Sequence, residues 1–207
     1  MKDYSEAIVL EAINRMKSRS VVFEPGLTDL EIENIEQRFG FRFPPDLRVL
    51  LQSALPVGIA SKDKGGTFPN WREDNVEQLE ARLNWPWEGM VFDIKNNDFW
   101  LDEWGTKPKN IKDAIEIARI EVEKAPTLIP LYSHRYLPER PFEAGNPVFS
   151  VYQTDIIYYG QNLWDYLVQE FGKHEEQWYA CESDSDFSWD ECDSVYKQIP
   201  FWSDLVY

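Results

Sequence analysis

The chain has few residues that perform covalent or metal chemistry. Histidine occurs only as His134 and His174, and cysteine only as Cys181 and Cys192. Two cysteines imply no disulfide framework. The spacing of His174, Cys181 and Cys192 matches no paired zinc-ligand module, so no metal site and no cofactor is expected. A nucleophilic triad needs Ser or Cys beside His with an orienting group, and no such set stands out, so the expectation is a protein that is not an enzyme. The ten glycines form no Gly-rich strand-to-helix turn of the kind that cradles a nucleotide. No apolar run approaches the ~18 residues that span a bilayer. Met1-Lys2-Asp3-Tyr4-Ser5-Glu6 carries acids where an export signal carries positive charge, which predicts a cytoplasmic protein.

Basic residues are the other shortage. Twenty-one Lys and Arg face 37 Asp and Glu, a net charge of −16. Such a field repels phosphate backbones and anionic lipid, so neither nucleic acid nor membrane is an expected partner. It attracts basic proteins; the simpler reading is that the charge keeps the chain soluble.

What is present is apolar and aromatic. Hydrophobic residues make up 43% of 207 residues, enough to build one generous core. Nine tryptophans are unusual, and large rings serve both cores and binding surfaces.

Periodicity predicts a helix or arm over residues 4–17, within an N-terminal part spanning 1–26. Thr28-Asp29-Leu30-Glu31 is a capping box opening a helix with Ile32, Ile35 and Phe39 on one face and Gly40 as its stop. Pro45 suits the first turn of a second helix that buries Leu47, Leu50, Leu51 and Ala54. Residues 56–75 read as a loop. A helical turn over 75–83 ends at Trp85-Pro86-Trp87-Glu88-Gly89, and Met90–Ile94 and Phe99–Leu101 read as short strands. A helix over 110–124 follows, capped by Asn110. Leu128–Tyr132 reads as a strand whose Pro130 points to an edge or a bulge. Val148–Tyr152 and Ile156–Tyr159 form a hairpin about Gln153-Thr154-Asp155, and Leu163–Phe171 a last helix. Together these predict an α+β fold, a single domain over 27–171 with a mainly antiparallel sheet flanked by helices. Residues 172–207 hold nine acids and two basic residues yet keep Trp178, Tyr179, Phe187, Trp189 and Trp202. Those rings predict a segment partly packed on the domain, with Ile199-Pro200-Phe201-Trp202 returning to it.

Several of these pieces, in this order, resemble the SUKH superfamily of Smi/Knr-like domains. They are Leu27-Thr28 through Gly40-Phe41-Arg42-Phe43-Pro44-Pro45-Asp46 to Leu50-Leu51, then Phe99-Trp100, Trp104-Gly105 and Pro108. Next come Leu128-Ile129-Pro130-Leu131-Tyr132-Ser133-His134-Arg135-Tyr136, Gly145-Asn146-Pro147-Val148-Phe149-Ser150-Val151, Thr154-Asp155-Ile156-Ile157-Tyr158-Tyr159-Gly160 with Leu163, and Ile199–Asp204. The resemblance implies a protein-binding domain without catalysis. Many bacterial members are immunity proteins that neutralise secreted toxins, and a basic toxin domain, such as a nuclease, is the implied partner. Fungal Smi/Knr relatives imply the alternative of a cytoplasmic scaffold or regulator.

The acids best placed for a basic partner are Asp98, Asp102 and Glu103, with Glu182, Asp184 and Asp186 in the terminal segment. Asp98, Asp102 and Glu103 beside Trp100 and Trp104 also suit carbohydrate, a remoter reading, while Trp100 by itself reads as a core residue. His134 reads first as a polar group satisfied by backbone in a sheet-end turn. The other reading is a polar pocket formed with Arg135, Tyr136 and Asp155.

Overall fold

The computed structural model describes residues 6–60, 67–72, 76–172 and 196–206. Its centre is a four-stranded antiparallel sheet of β3 (Leu128–Tyr132), β4 (Arg135–Pro138), β5 (Val148–Tyr152) and β6 (Asp155–Gly160), in that order. A separate antiparallel pair joins β1 (Val21–Pro25) to β2 (Ala54–Ile59). Among the described residues six α-helices complete the expected α+β fold: α1 (Glu6–Ser18), α2 (Asp29–Phe39), α3 (Pro45–Ser53), α4 (Val76–Asn96), α5 (Ile111–Val122) and α6 (Leu163–Phe171).

Both faces of the large sheet are covered, because its strands alternate between two apolar layers. Ile129, Leu137 and Val148 pack with α1, α2, α3 and α6, whereas Leu128, Tyr136, Phe149 and Ile156 pack with α4, α5 and residues 199–205. Pro130 lies on β3, an edge strand, where the ladder shifts register after it. The terminal return is as expected: Ile199 and Trp202 are buried, and the Trp202 indole donates to the Pro126 carbonyl at 2.7 Å.

The helix pair forms as its signals indicate. Thr28 Oγ1 accepts from the Glu31 amide, and Glu31 Oε2 accepts from the Thr28 amide. Gly40 closes α2 at φ 72°, a left-handed angle that suits glycine. Residues 6–25, expected to stand outside the main domain, are integral to it. Val9, Ala12, Ile13 and Met16 are buried, and β1 pairs with β2, a strand lying partly in the stretch expected to be loop. β4 was not anticipated either. The hairpin turn is shorter than expected, because Asp155 already pairs with Tyr152 and only Gln153 and Thr154 lie outside the ladder.

The largest departure is α4. Met90–Ile94 is not a strand, and the helix does not end at Trp85-Pro86; it runs 21 residues through the proline. Phe99–Leu101 is not a strand but an irregular link into a 3-10 turn, Asp102–Trp104. A proline inside a helix leaves the carbonyl four residues earlier without its donor. That carbonyl belongs to Arg82, and the Tyr136 hydroxyl donates to it at 3.0 Å. The sheet thus replaces the missing hydrogen bond. Further along, α4 rests on the β5–β6 hairpin: a Cβ at Gly89 would lie 2.7 Å from Gln153 Cα. The buried Asp93 carboxylate accepts from the Thr154 amide at 2.9 Å and its hydroxyl at 2.6 Å.

Two outcomes test this framework. Tyr136→Phe should cost about 1–2 kcal/mol in urea unfolding, by leaving the Arg82 carbonyl short of a donor. In a Pro86→Ala background the same change should cost less, because the alanine amide supplies that donor; a double-mutant cycle measures the difference. Acid sensitivity gives the second outcome. Arg72 first, then the Thr28 amide and hydroxyl, hold the Glu31 carboxyl at about 2, below its ordinary 4.5. The unfolded chain therefore binds more protons in that window, so this stabilisation is present above pH 4.5 and lost as pH falls toward 2. Glu31→Gln should flatten that part of the stability–pH curve.

Candidate functional site

The two-residue turns β3–β4 and β5–β6 lie at one end of the sheet, and the first half of α4 passes beside them. Between them is an open groove of ≈ 340 Å³. α4 contributes Ala81, Arg82 and Trp85, the β3–β4 turn contributes Ser133 and His134, and the strands contribute Tyr136 and Tyr152, with Thr67 opposite.

The polar groups of its floor bond to one another. Arg82 donates from Nη2 to Thr67 Oγ1 at 2.8 Å and to the Phe68 carbonyl at 3.4 Å. The Ser133 amide donates to the Thr67 carbonyl at 2.9 Å. Ser133 Oγ and His134 Nδ1 lie 3.1 Å apart, so the partner of the ring is a side chain where the sequence suggested backbone. Burial, and secondarily the charge of Arg135, lowers the His134 imidazole below its ordinary 6.5. Burial also pushes the Tyr136 phenol well above its usual range, so it remains a donor to Arg82. Two rings stand at the mouth: Trp85 is 47% exposed and Tyr152 60%.

The polar pocket suggested for His134, Arg135, Tyr136 and Asp155 is therefore divided. His134 and Tyr136 line the groove. Strand alternation sends Arg135 to the opposite face, over the Tyr159 ring at 3.7 Å, where it donates to Ser150 Oγ at 2.8 Å. Its Nε is 3.6 Å from Glu170 Oε2, too far for a hydrogen bond. These two atoms and the Tyr166 hydroxyl are buried without hydrogen bonds among the described residues. Asp155 is exposed at the start of β6 and does not line the groove. Sequence reasoning missed Arg82, Trp85 and Tyr152. The missed signal was Leu79, Leu83, Pro86, Met90 and Ile94, a helical stripe that continues across the proline.

Asp98, Asp102 and Glu103 are all exposed, on the link that follows α4. Asp98 is matched by Lys107, whose Nζ lies 2.6 Å from its carboxylate and holds the acid below its usual range. Trp100, expected in the core, is half-buried and pins the link: its indole donates to the Gly105 carbonyl at 2.6 Å. Its ring meets Trp104 edge-on at 5.1 Å, and Trp104 stacks on Phe201 at 6.3 Å. Glu182, Asp184 and Asp186 lie outside the described residues, as do His174, Cys181 and Cys192. Among the described residues no group of three or more His, Cys, Asp or Glu is placed to hold a metal ion, and no helix is long and apolar enough to cross a membrane. No protein-family model, curated protein or solved structure matches the chain.

The state of His134 is directly measurable. In an NMR pH titration its ring should show a midpoint below 6.5, so that it is neutral at pH 7. A depressed folded-state value means that its contribution to stability is present above 6.5 and lost as pH falls through the folded midpoint.

Proposed function

We propose that the chain is a SUKH-like protein-binding domain without catalytic activity, and that in a bacterium it acts in the cytoplasm as an immunity protein. It would bind a basic, secreted toxin domain, such as a nuclease, and cover its active site. The observation that carries this reading is an exposed acidic link on a molecule of charge −16, held in place by aromatic contacts. A pinned acidic surface speeds encounter with a basic partner, and ordering it beforehand lowers the entropy cost of binding. The groove supports the same reading, because its polar floor is bonded internally and its exposed walls are rings, the side chains that anchor protein interfaces.

The test begins with recovery of the partner by pull-down and mass spectrometry, followed by association kinetics at low and high salt. The partner should be a basic toxin domain, the purified protein should abolish its activity stoichiometrically, and the association rate should fall steeply with salt. Reversing Asp102 and Glu103 to Lys should slow association about tenfold at low salt and leave the melting temperature unchanged. Asp98→Lys should have less effect, because Lys107 already offsets that carboxylate. A partner whose toxicity survives saturating amounts of the protein would refute the immunity reading.

A further inference from the structure

The groove at the end of the sheet has a polar floor turned inward and an apolar mouth turned outward. The Tyr136 hydroxyl is committed to the Arg82 carbonyl, the Arg82 guanidinium to Thr67 and Phe68, and the Ser133 hydroxyl to His134. Trp85 and Tyr152 remain as exposed walls. With these groups committed, the rings are the main exposed surface against which an entering group can be buried. The half-buried His134 imidazole, held below its ordinary 6.5 by partial burial and by Arg135, fits that requirement, because its neutral form adds no charge to the lining.

The surroundings of the mouth have the opposite character. Glu88 is exposed three residues beyond Trp85, and so neighbours it on the helix surface. Asp155 is exposed and stands directly across the hairpin from Tyr152. Each ring at the mouth thus has a carboxylate beside it. Phe92, 48% exposed and two turns along α4 from Trp85, extends the aromatic row along the same face.

We propose that this groove is the anchor point of the partner, seating one apolar side chain of a basic protein segment between Trp85 and Tyr152. Lysine or arginine on either side of that residue meets Glu88 and Asp155. The choice of occupant rests on charge complementarity: Glu88 and Asp155 beside the mouth select basic neighbours, and the exposed rings favour an apolar insert. The inference rests on the protein-binding reading, and adds to it a recognition surface separate from Asp102 and Glu103.

The experiment uses the full chain and a phage-displayed library of random peptides. Panning should enrich sequences with one apolar residue flanked by Lys or Arg. A synthetic peptide of the enriched sequence should bind Tyr152→Ala at least tenfold more weakly, and Glu88→Lys with Asp155→Lys should weaken it severalfold, most at low salt. Tyr152 is exposed, so the melting temperature should not move. Ala81→Trp gives a second route, filling the groove from an exposed helix position without removing any contact. It should abolish peptide binding. No enrichment, an acidic or uncharged consensus, binding that Tyr152→Ala and Ala81→Trp leave intact, or glycans as the only ligands lost on these substitutions would each overturn the proposal. If a toxin partner is captured equally by wild type and Ala81→Trp, the groove proposal falls while the protein-binding reading stands. Basic peptides that bind in the groove of a protein that neutralises no toxin would leave the groove proposal standing and remove the immunity reading.

Discussion

The bond from the Tyr136 hydroxyl to the Arg82 carbonyl makes a long α4 compatible with a proline near its middle. A helix that loses an internal hydrogen bond tends to kink or end there. Here the sheet supplies the missing donor from the side, which also fixes the distance between helix and sheet at that level. The groove is the space left beside this contact. Below it, Gly89 admits the Gln153 backbone, and Asp93 holds Thr154, so helix and hairpin are joined at successive turns. Three kinds of contact in one row (a phenol, a bare glycine, a buried carboxylate) set the position of every groove wall.

The buried acids follow the same logic elsewhere. Asp46 is fully buried, accepts from the Leu47 and Gly145 amides, and thereby ties the start of α3 to the segment that enters β5. Burial raises its carboxyl above the ordinary value, against those bonds and the nearby Lys197. A molecule with a large surplus of surface acid thus uses two more inside as acceptors for backbone amides that would otherwise lack partners.

The sequence made local features legible wherever a signal was self-contained. The capping box at Thr28, the left-handed stop at Gly40, the Asn110 cap and the period-two runs over Val148–Tyr152 and Ile156–Tyr159 all depend on neighbours within a few residues. The edge position of β3 could be read from Pro130 for the same reason. What could not be read depends on partners distant in sequence. Pro86 looks like a terminator until Tyr136 is brought beside it, and β1 becomes a strand only because β2 pairs with it. At the candidate site, His134 and Tyr136 were identified but Arg135 was grouped with them against strand alternation. Trp85 and Tyr152 were passed over because their exposure is a tertiary property.

The division within the groove between bonded floor and exposed walls bears on how such a surface changes over generations. Trp85 and Tyr152 are largely outside both apolar layers, while the hydrogen bonds below them run through Arg82, Thr67, Ser133 and Tyr136. Substitutions at the two walls change the shape and chemistry of the opening without touching the joints that hold helix to sheet. Descendants of this chain can therefore drift in what the opening accepts while their architecture stays under separate, stricter selection.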